Sequence, residues 1–214
     1  MRVFLLSFLF SIITANAQDS SRFKDEIDGI QRKYDTLWDA SKKTVVFTGS
    51  SSIRVWKDLE KRFPNHHIIN SGFGGSQASD LLAFSNELIL NFKPTKVFIY
   101  EGDNDISSGK TSKKIISTTK KLIEQIKGNN PKTKIILIAA KPSIARWNLK
   151  GKYKRLNRKF NRLSKKDTML DFADVWKPML NKRKVKQDIF VEDGLHMNAK
   201  GYEIWYGVLK PFMD

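Results

Sequence analysis

The sequence contains no cysteine. Disulfide staples, thiol nucleophiles and cysteine metal sites are all excluded, so the domain must rest on a packed apolar core. Histidine is scarce, with three in 214 residues. A multi-histidine zinc site does not fit that supply, and base chemistry near neutral pH falls on very few side chains. Acid is in deficit too: 22 Asp and Glu against 39 Lys and Arg leave a formal net charge of +17. Internal repeats and long low-complexity segments are missing. Long apolar runs are missing except at the start, where Val3 to Ile13 is almost unbroken. That run is too short to cross a bilayer as a helix. With Arg2 before it and Ala15-Asn16-Ala17 after it, residues 1–17 read as a signal peptide cleaved near Ala17, with an uncleaved anchor as the alternative. The expected location is outside the cytoplasm, periplasmic or secreted.

A strongly basic chain raises the question of nucleic acid. An exported protein rarely meets it, so no nucleic-acid partner is expected. Anionic glycans, a membrane surface or acidic substrates fit the charge better. The densest basic stretch, Arg146 to Lys166, reads most simply as a solvated helix face.

After the leader, helix and strand patterns alternate. Phe23, Ile27, Ile30, Tyr34, Leu37 and Trp38 recur at helical spacing and predict an opening amphipathic helix. Short apolar, β-rich runs follow at 44–49, 67–70, 96–100 and 134–139, with a weaker one at 169–172. Helices are expected at 53–62, 78–92, 111–127 and 152–163, and a last one begins after the cap residue Asn198. Strands without polar alternation, separated by helices, predict a parallel sheet covered on both faces: a three-layer α/β/α sandwich.

In such sheets, sites form at the carboxyl ends of the strands. Gly49-Ser50-Ser51 follows the first strand, Asn70 to Gly75 the second, and Gly102-Asp103-Asn104-Asp105 the third, so all three converge on one edge. A turn from strand to helix exposes the Ser51 hydroxyl beside backbone N–H groups. The hydroxyl needs a base, and His196, in Asp193-Gly194-Leu195-His196, is the well-placed candidate. Asp193 can accept from the imidazole and fix its tautomer. Donors for a developing oxyanion are the N–H groups of Ser51 and Gly75 and the Asn104 amide. Each feature alone is common: Gly-x-Ser turns, Asx turns and glycine turns need no chemistry. Their order and placement together are far more specific.

Four blocks carry a family resemblance, and they span most of the chain after the leader. They are Val46 to Ser51, Asn70 to Ser76, Gly102 to Asp105 and Asp193 to His196. On these blocks the chain resembles the SGNH hydrolases, the superfamily that includes the GDSL esterases and lipases. The resemblance implies a flavodoxin-like sheet, no metal or other cofactor, and ester hydrolysis through an acyl-enzyme. It places Ser51 as nucleophile, Asp193 and His196 as its partners, and Gly75 and Asn104 in the oxyanion hole. One departure is Gly49-Ser50-Ser51-Ser52 in place of Gly-Asp-Ser-Leu; Ser50 then supplies a small hydrogen-bonding group near the loop. The implied organisation is a leader at 1–17, a helix packing on the domain within 18–43, and a hydrolase domain at 44–214.

No long apolar insertion suggests a lipase lid, so short acyl groups are expected, such as acetyl esters on carbohydrate. The rivals are a lysophospholipase or thioesterase, and a non-catalytic basic domain that binds anionic glycan or a membrane surface. Arg146 and Trp147 follow the fourth strand; Arg146 can pair with an anionic group and Trp147 can stack on a sugar. Arg54 is a further candidate substrate contact.

Overall fold

A computed structural model describes residues 21–214; the leader expected at 1–17 lies outside the described residues. Five parallel strands form one sheet: β1 (Thr44–Gly49), β2 (His67–Gly72), β3 (Lys96–Tyr100), β4 (Lys134–Ile138) and β5 (Leu170–Ala173). They lie in the order β2-β1-β3-β4-β5. Every residue of β1 is buried, as its neighbours on both sides and its covered faces require.

Successive side chains on a strand point to opposite faces, and two apolar clusters follow from that alternation. Val46, Val97, Ile99, Ile135 and Leu137 belong to one. This face is covered by α1 (Lys24–Leu37), by α4 (Ala78–Ala83), α5 (Ser85–Leu88) and α7 (Ser112–Asn129), and by α8 (Lys150–Ser164). Val45, Phe47, Phe98, Ile136 and Ile138 belong to the other cluster. Here the cover is α2 (Ser51–Arg54), α3 (Leu59–Arg62) and α9 (Ala199–Leu209). Phe47 and Phe98 stack across neighbouring strands at 4.2 Å between ring centroids, and Trp205 is fully buried beside Trp56 and Tyr100. The result is the three-layer α/β/α sandwich, in the flavodoxin-like strand order. Ile27 and Tyr34 dock the first helix on the face that it shares with α4, α5, α7 and α8, and Phe23 just before it joins the same cluster.

Two expected helices are interrupted. The segment 53–62 forms α2 and α3 with a tight turn between them. There the bonds run from Trp56 N–H to Ile53 O and from Leu59 N–H to Trp56 O, three residues back. Its buried side chains Ile53, Trp56 and Leu59 recur every third residue, a spacing that suits the tighter winding. The segment 78–92 breaks at Phe84 into α4 and α5, then ends in a short 3-10 turn at Leu90–Phe92. Two elements were not foreseen: α6 (Asp103–Ser107), and a two-stranded hairpin of β6 (Leu180–Asn181) and β7 (Lys184–Val185).

The strand order reverses between β1 and β3, which makes their carboxyl ends the switch point where ligands of such sheets bind. Ser51 follows β1 and Asn104 follows β3.

Candidate active site

The turn that carries Ser51 is set by backbone packing. Gly49 has φ of +116°, and a β-carbon there would lie 2.0 Å from the Tyr100 carbonyl oxygen, so only glycine lets β1 end this close to β3. Beyond it, Ser50 N–H donates to Tyr100 O at 3.0 Å and Phe73 N–H donates to Gly49 O at 2.8 Å. Those bonds join the ends of the three strands. Ser51 then opens α2, and Tyr202 of α9 donates its hydroxyl to Ser52 O at 2.8 Å.

His196 arrives from the far end of the chain, with Nε2 at 2.9 Å from Ser51 Oγ. Its Nδ1 lies 2.5 Å from Asp193 Oδ2. A carboxylate only accepts, so Nδ1 carries the proton and Nε2 offers its lone pair to the Ser51 hydroxyl. Asp193 is fixed by its second oxygen, which accepts the N–H groups of Leu195 and His196, both at 2.8 Å. Partial burial raises the Asp193 carboxyl. The imidazole and the two N–H donors outweigh that and hold it at about 2, so it stays charged at neutral pH. The loop is anchored by Ala145 N–H to Gly194 O, Val191 N–H to His196 O, and the buried Lys141 Nζ to Leu195 O at 2.8 Å.

Asn104 is held from three directions. Its Nδ2 donates to Ser50 Oγ at 2.7 Å and to Ser76 O at 2.9 Å, while its Oδ1 accepts from Arg146 Nη1 at 3.0 Å. Arg146 Nη1 also donates to Asp103 Oδ1 at 2.6 Å. The structure therefore turns Arg146 inward, onto Asp103 and the Asn104 amide, rather than outward to an anionic substrate group. Burial raises the Asp103 carboxyl, but Lys141, Arg146 and the Tyr153 hydroxyl bring it down to about 2. Gly75 has φ of +71° with open space where a side chain would stand, and its N–H has no acceptor among the described residues. The N–H of Ser51, in the first helical turn, has no helical acceptor either.

Trp147 stacks on Trp176 at 6.1 Å between centroids, with planes 17° apart, and Lys150 lies over its ring. Its main partners are in the protein. Arg54 pairs with Glu26 at 3.4 Å, and Glu26 in turn accepts from Gly74 N–H, so Arg54 braces the glycine loop. Sequence reasoning missed Glu101, Asp103 and Lys141. Glu101 Oε1 accepts from Ser76 Oγ at 2.6 Å, while Oε2 has no partner among the described residues. Burial, with Asp105 nearby, pushes its carboxyl well above the usual carboxylate range. A carboxyl directly after a buried strand, beside the glycine loop, was the only available signal. Among the described residues no group of three or more metal-ligating side chains forms.

An α/β/α sandwich with serine, imidazole and carboxylate in a row at its strand ends has the architecture of the serine ester hydrolases. The chain belongs to the GDSL-like lipase/acylhydrolase family, whose model matches residues 31–204, and it is an ester hydrolase. Solved structures share the fold at low identity. A GDSL-like lipase from Bacteroides thetaiotaomicron has a TM-score of 0.73 and 22% identity, covering 91% of this chain and 97% of that one. A Streptococcus pneumonia protein, described provisionally as a platelet activating factor, has a TM-score of 0.78 and 22% identity, covering 91% and 95%. A carbohydrate esterase family 3 protein from Talaromyces cellulolyticus has a TM-score of 0.63 and 19% identity, covering 80% and 96%. No curated protein matches the chain.

Proposed function

We propose that Ser51, His196 and Asp193 form the catalytic triad of an exported esterase that removes short acyl groups, chiefly acetyl, from carbohydrate. The observation that carries this reading is the unbroken row from Ser51 Oγ through His196 to Asp193, with 2.9 and 2.5 Å links. The likeness to a carbohydrate esterase fold supports the substrate class.

In this mechanism Ser51 Oγ attacks the ester carbonyl carbon as its proton passes to His196 Nε2. The carbonyl oxygen becomes an oxyanion between the Ser51 and Gly75 N–H groups, and it takes over the Asn104 N–H that rests on Ser50 Oγ. Collapse breaks the carbon–alkoxide bond, and the leaving alcohol receives the proton from Nε2. Water then adds to the acyl-enzyme, giving one proton to Nε2. Collapse of this second oxyanion releases the acid and returns that proton to Ser51.

Ser51→Ala is expected to lower p-nitrophenyl acetate turnover by more than about a thousandfold, and a fluorophosphonate probe should label Ser51 in the wild-type protein. A Ser51→Ala protein that hydrolyses the ester at the wild-type rate would overturn the assignment.

One observation favours a second reading, a lipid-like substrate. Ile144 and Val191 are 38% and 46% exposed, and both flank Gly194, which lies between Asp193 and His196. An apolar acyl or alcohol group would cover them. A panel of esters of increasing acyl length separates the two: peak kcat/KM at acetyl supports the carbohydrate reading, and a peak at long chains supports the lipid one.

A further inference from the structure

A cavity of about 440 Å³ lies between α8 and the segment that follows β5, within the range of small-molecule sites. Lys154 and Arg158, one helical turn apart, form one wall; Asp174, Trp176 and Lys177 line the other, with Phe172. Neither Lys154 nor Arg158 has an acidic partner among the described residues. The lone carboxylate, Asp174, sits 3.8 Å from Lys177 in an exposed and therefore weak pair. Three cations against one acid give the cavity a local excess of positive charge. Trp176 is 6% exposed, and its indole N–H has no acceptor among the described residues. A buried donor without a partner is uncommon in a folded chain.

The cavity flanks β5, and its lining is linked to the candidate site through two aromatic side chains. Asp174 and Trp176 follow the carboxyl end of β5, on the same sheet edge as Ser51. Trp147 stacks on Trp176, and its chain neighbour Arg146 holds Asn104. A chain-like ligand seated here can reach toward the site along that row.

We propose that this cavity is a subsite for an anionic sugar residue, carboxylated or sulfated, in the glycan whose ester is cleaved at Ser51. The proposal rests on the carbohydrate-ester reading. The cations receive the anionic group, and Phe172 with the Trp176 side chain offers apolar contact to the sugar ring. A lipid fits worse, because the exposed large apolar side chains Leu37, Ile144 and Val191 all lie outside these walls.

Calorimetry on the Ser51→Ala protein tests it with three unesterified probes: trigalacturonic acid, a sulfated disaccharide and neutral xylotriose. At least one acidic probe is expected to bind about tenfold or more tighter than xylotriose and to weaken with added salt. Lys154→Ala/Arg158→Ala should lose about tenfold of that affinity. Lys57→Ala/Lys61→Ala, exposed on the opposite edge of the sheet, should keep it. The ratio of the two acidic affinities distinguishes carboxylate from sulfate. Equal binding of acidic and neutral probes, or unchanged affinity in the Lys154/Arg158 variant, overturns the proposal. Hydrolysis of p-nitrophenyl acetate by the wild-type protein reports on Ser51 alone. An active esterase without glycan binding therefore defeats only the subsite, and a dead esterase that binds glycan defeats only the triad.

Discussion

In the proposed mechanism Asn104 gives the clearest separation of chemistry from support. Its Nδ2 faces Ser50 and Ser76 and its Oδ1 faces Arg146. Loss of an oxyanion donor costs about 2.7–4 kcal/mol of transition-state stabilisation. Asn104→Ala is therefore expected to lower kcat by about a hundred- to a thousandfold with little change in KM, read from steady-state kinetics on p-nitrophenyl acetate. Arg146 acts one bond further out. Arg146→Met should lower kcat by a smaller factor and leave KM nearly unchanged, with part of the loss restored in Arg146→Lys. A rise in KM confined to anionic substrates would instead return Arg146 to the direct contact that its position after the fourth strand suggested. That Ser51, Asp193 and His196 meet was legible because each belongs to a short motif at a strand or loop end. Asp103 and Lys141 were not. Lys141 acts on Leu195, 54 residues away, and a single lysine after a strand carries no local signature of such a partner.

Elements show the same division. The five strands could be read because a buried parallel strand is a largely apolar run, and Ser51 and Asn104 stand at the ends of two of them. The break between α2 and α3 could not, since Ile53, Trp56 and Leu59 satisfy a helical pattern almost as well as a tighter one. Nor could the β6–β7 hairpin, whose two-residue strands and Lys182-Arg183 tip leave no periodicity to detect. The end of β1 is the least tolerant point of the sheet. In Gly49→Ala the new β-carbon meets the Tyr100 carbonyl at 2.0 Å, and φ of +116° is strained for any side chain. The strain alone is worth about 1–3 kcal/mol, and β1 must also move away from β3. The variant should show a markedly lower melting temperature and a weaker ester-hydrolysis rate. A melting curve superimposable on wild type would contradict this account of the β1–β3 junction.

Across the whole molecule, two buried carboxyls pull stability in opposite directions with pH. Asp103 is held at about 2, below its usual 3.8, by Lys141 and Arg146 against the cost of burial. A depressed acid stabilises the fold above its unfolded value, and that contribution is lost as pH falls from about 4 toward 2. Glu101 has the reverse sign. Burial raises its carboxyl well above 4.5, so the folded protein keeps it protonated while the unfolded chain ionises. Its contribution to stability therefore declines as pH rises past 4.5. Glu101→Gln removes that penalty and retains an oxygen for Ser76. Its melting temperature should exceed wild type at neutral pH, with the gap closing in acid; a gap independent of pH would show that ionisation of Glu101 is not the cause. The Ser51–His196 bond spans 145 residues, and Tyr202 reaches back to Ser52. Chains are made from the amino end, so the serine is synthesised long before its base. Until the final loop and helix dock, every partial chain carries an inert hydroxyl at position 51. On the proposed triad, the Ser51 hydroxyl gains its base only when the last loop and helix complete the fold, so a truncated chain should not hydrolyse esters.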